Sequence, residues 1–444
     1  MIPSWLALDG RKILLARGLR TFAYGYLAVI LGAYLDRLGL DPFQIGLVFT
    51  GAIAGSAVMT VVWSLLADRV GRRRTVTIMA ALMAIGGLVF AVSDRFGLLL
   101  LGAVTGTISV TSSEVGVFQT VEQAILPQTA PDARRTWLFS LYNTTANFAQ
   151  AVGSLAAGSV AAFASLGLAG ADAYRPLFVL YGLIGLANLG LFATLSPQVE
   201  LARVEGERRF LGIHRSGPVV ARLAALFAFD ALAGGLVVHS VVAYWFYLRW
   251  DLTPAQLGTV FFFVNVLSGT SLLVAGWLAG RIGLLNTMVF THLPSHALLI
   301  AVPFMPSAPL AVAAFLARMS LSQMDVPTRQ SYTMAVVAPD ERTATAGILN
   351  LARASATAVS PAIAGYAIAV AALGLPFVLS GLMKIPYDLI LWRTFRDIRP
   401  PEERDRVKSR GERGSGFAGP SEFDRGAGPR SEAEGDSRGR ADGR

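Results

Sequence analysis

Six ionisable residues stand near the middle of long apolar stretches, where a charge is costly. They are Glu114, Asp230, His296, Arg318, Arg353 and Lys384. An ionisable side chain at the centre of a membrane is normally paired or functional. A carboxyl group removed from water can take up and release a proton near neutral pH, and we expect this of Asp230 and Glu114. The alternative for each is a permanent ion pair with Arg318 or Arg353.

The two arginines in this group, Arg318 and Arg353, could hold an anionic group through bidentate hydrogen bonds, or serve only as counter-charges. Three asparagines in apolar stretches could offer polar contacts to a solute, or bond neighbouring helices to each other. These asparagines are Asn143, Asn147 and Asn350.

Residues three or four apart in sequence lie on one face of a helix, and two charged sets have such spacing. The first set is Glu114, Phe118 and Glu122, and the second is Arg318, Ser322, Asp325 and Arg329. Phe118 is a candidate for lining a solute path or for simple core packing. Asp325 and Arg329 are candidates for a gate.

The other embedded polar residues favour structural roles. Lys384 and Asp388 are four apart and predict a pair within one helix. Arg17 and Arg20 are expected near a helix end, either snorkelling to the headgroups or facing a cavity. We expect two further residues, His292 and His296, to pack rather than to bind a metal, and no metal site or cofactor is predicted.

The elements that carry these residues are predicted to be membrane-spanning helices. The chain is 54% hydrophobic and 15% charged, without cysteine. Apolar runs of about twenty residues match the length of a helix that crosses a bilayer. We therefore predict an all-α polytopic membrane protein with twelve spans. The spans are 14–38, 44–67, 75–93, 97–126, 137–163, 176–195, 219–247, 256–279, 285–304, 308–335, 343–370 and 375–395.

Basic residues are concentrated in alternate connections, which predicts that these connections and both termini are cytoplasmic. The longest polar connection separates six spans from six, so the predicted bundles are 1–196 and 219–395, joined by a linker, 197–218. The composition of 396–444 is rich in Arg, Glu, Asp, Gly and Ser and predicts a disordered cytoplasmic tail.

The two predicted bundles repeat one sequence pattern. "LDPFQIG" from Leu40 matches "LTPAQLG" from Leu252, and "LADRVG" from Leu66 matches "LAGRIG" from Leu278, both 212 residues apart. Further along, Asn143 matches Asn350 at a separation of 207. At that separation Glu122 corresponds to Arg329, an acid to a base. Two similar six-helix halves suit alternating access around a central site.

The stretch "SLLADRVGRRR", Ser64 to Arg74, resembles the signature loop of the major facilitator superfamily (MFS). The resemblance implies two pseudo-symmetric six-helix bundles, with helices one, four, seven and ten lining the cavity. It further implies that Asp68 faces the start of the eleventh helix near Thr343, and that Arg72 pairs with Glu122 as a cytoplasmic latch. The loop residues concerned are Asp68, Arg69, Gly71 and Arg72.

The sequence thus predicts a secondary active transporter of the inner or plasma membrane. We expect proton-coupled efflux of a small organic compound or drug, although two antiporter signatures, an arginine within helix four and a Gly-Pro pair in helix five, are missing. Uptake or exchange of an organic anion is the alternative. A polytopic enzyme is disfavoured because no catalytic motif is apparent, and a non-transporting sensor is disfavoured because no soluble catalytic or effector domain is recognised in the sequence. Expected partners are the solute, the lipid bilayer and protons, but not nucleic acid, and the protein is expected to be a monomer.

Overall fold

The computed structural model describes residues 6–111, 116–131, 135–200, 216–337, 341–370 and 372–396. Within these ranges the chain forms sixteen α-helices joined by short connections and 3-10 turns. The helices are α1 (Leu8–Arg37), α2 (Pro42–Val70), α3 (Arg72–Val92), α4 (Phe96–Val104), α5 (Val117–Ile125), α6 (Arg135–Ala156), α7 (Ser159–Ser165), α8 (Arg175–Ala193), α9 (Gly217–Gly235), α10 (His239–Trp250), α11 (Pro254–Ile282), α12 (Leu284–Ala301), α13 (Ala308–Ser322), α14 (Asp325–Val336), α15 (Arg342–Ala369) and α16 (Leu375–Phe395).

These helices account for all twelve predicted spans. Eight spans are single helices, and the fourth, fifth, seventh and tenth are each divided into two: α4/α5, α6/α7, α9/α10 and α13/α14. By length and composition alone, nine segments of the described chain are apolar and long enough to cross a bilayer. The predicted all-α polytopic fold is therefore confirmed. The predicted tail, apart from its first residue, and most of the linker lie outside the described residues.

The divided spans bring backbone polar groups to the middle of the molecule. In the fourth span the chain turns at Gly106 (φ +71°), and a Cβ there would lie 2.6 Å from the amide nitrogen of Ser56. The amide of Ser240, in the seventh span, donates to the carbonyl oxygen of Val110 across 3.1 Å. Non-helical backbone at membrane depth is tolerated where it is buried in protein or lines a cavity. The break in the seventh span thus bonds to the break in the fourth.

The two halves repeat each other in local structure as well as in sequence. Helix α2 begins with a capping box between Asp41 and Gln44, and α11 begins with the equivalent box between Thr253 and Gln256. Each box satisfies backbone donors that a helix leaves free at its start. Both helices also end at a glycine with positive φ, +104° at Gly71 and +90° at Gly283. The repeated sequence motifs therefore fix the same start and the same stop in each half.

Two equivalent glycines make close backbone contacts between the halves. A Cβ on Gly46 of α2 would collide with the carbonyl oxygen of Pro361 in α15, and a Cβ on Gly258 of α11 would collide with that of Ser154 in α6. Gly46 and Gly258 are 212 residues apart, and Ser154 and Pro361 are 207 apart, so the contacts are related by the internal repeat. Only glycine allows backbones to approach this closely.

Residues 196–200 and 216 mark one end of the molecule, which we call the linker end. The halves contact each other away from this end. One apolar core, with members such as Tyr34, Phe178 and Trp245, is shared by both halves. Two further cores each belong to one half: one surrounds Phe192, and the other surrounds Phe227 near the linker end. The described hydrogen bonds between the halves lie at mid-depth or beyond it, as between Gln150 and Asn265 (3.0 Å). The described contacts between the halves are thus concentrated away from the linker end, which is where we expect a cleft between the halves to open.

Candidate functional site

The carboxylate of Asp230 is the centre of a charged cluster in the second half. Asp230 lies on α9 and is 3% exposed. Lys384 on α16 donates to its Oδ1 at 2.5 Å, and Arg353 on α15 donates to its Oδ2 at 3.1 Å. Arg329 on α14 lies 3.6 Å from the same Oδ2. One buried carboxylate therefore holds cations from three other helices.

The cluster continues toward α12 through alternating acids and bases. Arg329 forms a short ion pair with Asp325, one turn earlier on α14. The Nε2 atom of His292 lies 3.1 Å from Oδ1 of Asp325, and its Nδ1 lies 3.5 Å from Oδ1 of Asp388. The Nε2 atom of His296 lies 3.1 Å from Oδ2 of Asp388. The predicted gate pair Asp325–Arg329 thus forms within one helix and joins a buried network.

This network corrects the expected pair between Lys384 and Asp388. The two residues are one turn apart on α16, but Lys384 bonds to Asp230 and Asp388 contacts two histidines. Spacing along one helix predicts which residues share a face; it does not predict which partner another helix presents. The two histidines were expected to pack, and they instead contact a carboxylate that is 1% exposed.

The first half has its own buried ion pair. Nη2 of Arg20 on α1 donates to Oε1 of Glu122 on α5 at 2.7 Å, and both side chains are 0% exposed. The hydroxyl of Tyr142 donates to the other carboxylate oxygen at 2.8 Å. Arg20 also donates to Asn188 at 3.2 Å. Arg20 therefore does not snorkel. Phe118 is 4% exposed and packs beneath the Arg20 guanidinium, inside the half rather than on the cleft wall.

The two ion pairs occupy equivalent positions with reversed charge. Gly25 on α1 meets the carbonyl oxygen of Gln150, and Gly235 on α9 meets that of Thr357. Gln150 and Thr357 are 207 residues apart, so the first span aligns with the seventh at the 210-residue separation of the two glycines.

At that separation Arg20 corresponds to Asp230, while Glu122 corresponds to Arg329. Each half therefore places an ionic contact at the same pair of positions. In the first half the base is on the first span and the acid on the fourth. In the second half the acid is on the seventh span and the base on the tenth.

Arg318 differs from the other embedded cations. Its guanidinium is partly buried on α13, donates to the sulfur of Met319 at 3.1 Å and lies 5.9 Å from the ring centre of Phe315. Among the described residues it has no carboxylate within ion-pair distance, and its Nε atom has no hydrogen-bond partner. A buried charge without a counter-charge is unfavourable. Arg318 therefore retains hydrogen-bonding capacity for an anion.

The three asparagines remain accessible within the spans. Asn143 and Asn147 on α6 and Asn350 on α15 are exposed, and Asn143 is the repeat equivalent of Asn350. The side chain of Arg353 is 29% exposed while it bonds to Asp230. Polar side chains on spans are disfavoured against lipid. These residues are therefore available to line the cleft.

The signature loop is stabilised by a residue that the sequence did not single out. The carboxylate of Glu200 accepts from the backbone amides of Arg72 (2.7 Å) and Arg73 (3.1 Å) at the start of α3. A carboxylate at a helix N-terminus is favourable. Gly71 makes room for it, because a Cβ there would lie 3.0 Å from the Glu200 carboxylate.

Arg72 and Glu122, the expected latch pair, have other partners in the structure. The guanidinium of Arg72 donates to the carbonyl oxygen of Ala124, and Glu122 bonds to Arg20. The side chains of Asp68 and Arg69 and all of Glu114 lie outside the described residues. Sequence reasoning also missed the roles of Lys384 and Arg20. The signal for Arg20 was its alignment with Asp230 in the repeat.

Paired helix bundles with a polar cleft and buried ion pairs define a polytopic transport protein, and the comparisons with known proteins agree. The uncharacterized membrane protein YJR124C of Saccharomyces cerevisiae is 26% identical over 406 residues, which is 84% of this chain and 91% of the yeast protein. The arabinose-proton symporter of Bacillus subtilis is 34% identical over 131 residues, 29% of this chain and 27% of the symporter.

The fold is also similar to that of a bacterial homologue of the human lysosomal transporter Spinster, solved in an inward-facing and unoccupied conformation. The TM-score is 0.69 at 16% identity, covering 88% of this chain and 98% of that one. The sequence profile of the Major Facilitator Superfamily matches residues 13–361. The chain therefore belongs to the major facilitator superfamily and is a membrane transporter.

Proposed function

We propose that the protein is a proton-coupled secondary transporter that exports a small organic compound by alternating access. The observation that carries the proposal is the position of Asp230, a buried carboxylate bonded to cations on the eleventh and twelfth spans. A partial relative is a proton symporter by its name. Asp230 and Glu114 are the proposed coupling residues.

The coupling follows from the charges around Asp230. As a carboxylate it attracts Lys384, Arg353 and Arg329, and so holds α9 against α14, α15 and α16. A proton on Asp230 removes the negative charge, and among the described acids only Asp325, which pairs with Arg329, then offsets the repulsion between the three cations. The packing of these helices therefore depends on protonation. Arg353 connects this centre to the cleft, since its side chain is 29% exposed.

The test is solute flux into proteoliposomes with and without a pH gradient, using a solute first identified by ligand-induced thermal stabilisation. Asp230→Asn and Glu114→Gln are expected to abolish the gradient-driven part of the flux. Asp94→Asn, which removes an exposed carboxylate paired with Arg175, serves as the control and is expected to transport normally. Unchanged gradient-driven flux in both Asp230→Asn and Glu114→Gln would refute the coupling assignment.

Transport of an organic anion, by uptake or exchange, is the second candidate, and Arg318 favours it. A carboxylate or phosphate on the solute would supply the counter-charge that the described residues do not provide. Arg318→Met is expected to abolish thermal stabilisation by anionic compounds and to leave stabilisation by neutral compounds intact. If the stabilising compounds are neutral or cationic, or if Arg318→Met responds to anions as the parent protein does, this candidate is excluded.

The protein is proposed to lie in the inner or plasma membrane, with the linker end and both termini in the cytoplasm. In this orientation the cleft is open inward. The protein is proposed to act as a monomer. Because the natural chain lacks cysteine, a single cysteine introduced at Gly39 or Gly97 can be labelled without background. Both positions lie away from the linker end, and labelling by an impermeant reagent in intact cells is expected. Labelling only after permeabilisation would reverse the orientation.

A further inference from the structure

Two histidines and an aspartate between the ninth and twelfth spans form a compact set of metal-ligand atoms. His292 and His296 lie on α12, and Asp388 lies on α16. Their candidate ligand atoms all lie within 4.8 Å of one another. We propose that this trio binds a divalent transition-metal ion, with zinc as the ion that its chemistry fits best. The proposal is independent of proton coupling and of the solute site.

The separations of the ligand atoms fit one ion. Four ligands at the usual zinc distances of about 2.0–2.2 Å in a tetrahedron are about 3.3–3.6 Å apart. The distance from Nδ1 of His292 to Oδ1 of Asp388 is 3.5 Å, and that from Nε2 of His296 to Oδ2 of Asp388 is 3.1 Å. The two distances involve different oxygens of Asp388, and all candidate ligand atoms lie within 4.8 Å of one another, so the side chains would close around a single bound ion.

The trio also contains polar atoms that the protein leaves without hydrogen bonds. Nδ1 of His296 is buried without a hydrogen-bond partner in the described structure, and Nε2 of His296 faces Oδ2 of Asp388 across 3.1 Å without the geometry of a hydrogen bond. Both residues are 1% exposed. Buried polar atoms are nearly always satisfied, and exceptions point to a missing partner such as water or an ion. A metal bound by Nε2 of His296 and by Asp388 supplies that partner for two of these atoms.

The surroundings of His292 orient it as a ligand. Its Nε2 lies 3.1 Å from Oδ1 of Asp325 and 3.2 Å from the carbonyl oxygen of Ser322. These acceptors can take a proton from Nε2, so that Nδ1, 3.5 Å from Oδ1 of Asp388, would be the nitrogen that binds the metal. Histidines that bind metals generally donate their other nitrogen to a carboxylate or carbonyl oxygen in this way, which also fixes the ring.

The choice of zinc follows from the donor atoms. Two imidazole nitrogens and one carboxylate suit zinc, whereas calcium and magnesium prefer shells made of oxygen. Two histidines four apart on one helix present both rings on the same face, as in other zinc-binding helices. Lys384 is one turn from Asp388, but it bonds to Asp230, which offsets its charge. Three protein ligands leave a fourth position for water or another donor.

The experiment measures zinc on the purified full-length transporter in detergent. After loading with zinc sulfate and removal of loose metal by gel filtration, we expect about one zinc ion per chain by plasma mass spectrometry. His296→Gln and Asp388→Asn are each expected to lower the affinity at least about tenfold. His239→Gln is the matched control, because His239 lies on α10 and is not a member of the trio, and it is expected to bind zinc normally.

Cobalt loading of the unmutated protein gives a second measurement that does not depend on the folding of a variant. Visible absorption bands typical of tetrahedral Co²⁺ with nitrogen and oxygen ligands are expected, and zinc should displace them. The proposal would be overturned if the protein retained no zinc after loading, or if the cobalt spectrum were that of an octahedral site. Full zinc retention by folded His296→Gln would overturn it as well. None of these results bears on proton coupling, which the flux of Asp230→Asn tests separately.

Discussion

The buried ion pair between Arg20 and Glu122 is expected to be far more important for stability than an exposed pair of the same length. Its N–O distance is 2.7 Å and both side chains are 0% exposed. The exposed pair between Arg175 and Asp94 is 2.6 Å long, with side chains 29% and 63% exposed. The two pairs therefore differ mainly in burial, and comparing them isolates its effect.

Replacing Glu122 by Gln keeps the shape and an acceptor for Tyr142 but leaves the guanidinium of Arg20 buried without its counter-charge. Breaking a buried pair in this way costs about 3–5 kcal/mol. Asp94→Asn, in contrast, is expected to cost about 1 kcal/mol or less, because water solvates the remaining charge. Asn188, the other described side-chain acceptor for Arg20, is neutral and offsets only part of the loss.

Equilibrium unfolding in mixed micelles, followed by helix content and tryptophan fluorescence, measures these free energies. The double variant Arg20→Met with Glu122→Gln removes both charges, so it should recover most of the loss caused by Glu122→Gln alone. If Glu122→Gln costs no more than Asp94→Asn, or if the double variant is as unstable as the sum of the single ones, the charge-based reasoning is wrong.

Three further outcomes are expected. Gly46→Val should drive the halves apart and reduce solute flux without loss of folded protein. The control Gly269→Val should transport normally, because a Cβ at Gly269 meets nothing within 4 Å, and equal flux in both variants would contradict the contact at Gly46. Asp41→Ala should lower the unfolding free energy by about 1 kcal/mol through loss of its capping box, and an unchanged value would show that α2 starts without it. Asp230→Asn should destabilise by about 3–5 kcal/mol and adding Lys384→Met should restore part of this; no recovery in unfolding measurements would mean that the pair is not coupled.

The membrane-spanning architecture was predictable because it follows from apolar run length and from a repeat with fixed signals. The matching stretches from Leu40 and Leu252 contain the residues that cap α2 and α11, so the sequence already contained these helix starts. The divisions of the fourth, fifth, seventh and tenth spans were not predicted. Apolar run length does not register a break when the residues around it, as at Leu236 and Val238, are themselves apolar.

The ionic partners were harder to predict than the helices, since they depend on packing between distant segments. The first span was expected to begin near residue 14, but α1 begins at Leu8, which places Arg20 more than one turn deeper than expected. Arg20 does not reach a helix end, because its side chain is 0% exposed and paired with Glu122. Lys384 reaches Asp230 across 154 positions of sequence, a partner that spacing within α16 could not reveal.

The two glycine contacts at Gly46 and Gly258 have a consequence for the timing of the transport cycle. Because the repeat exchanges them, we place them on opposite sides of one pseudo-twofold axis, and in the proposed alternating-access cycle a rigid rotation of one half against the other would separate both together. The far side of the cleft should then open in a single step with one activation barrier. A solute would meet a barrier that is either fully closed or fully open, and leakage through a half-opened face would be rare.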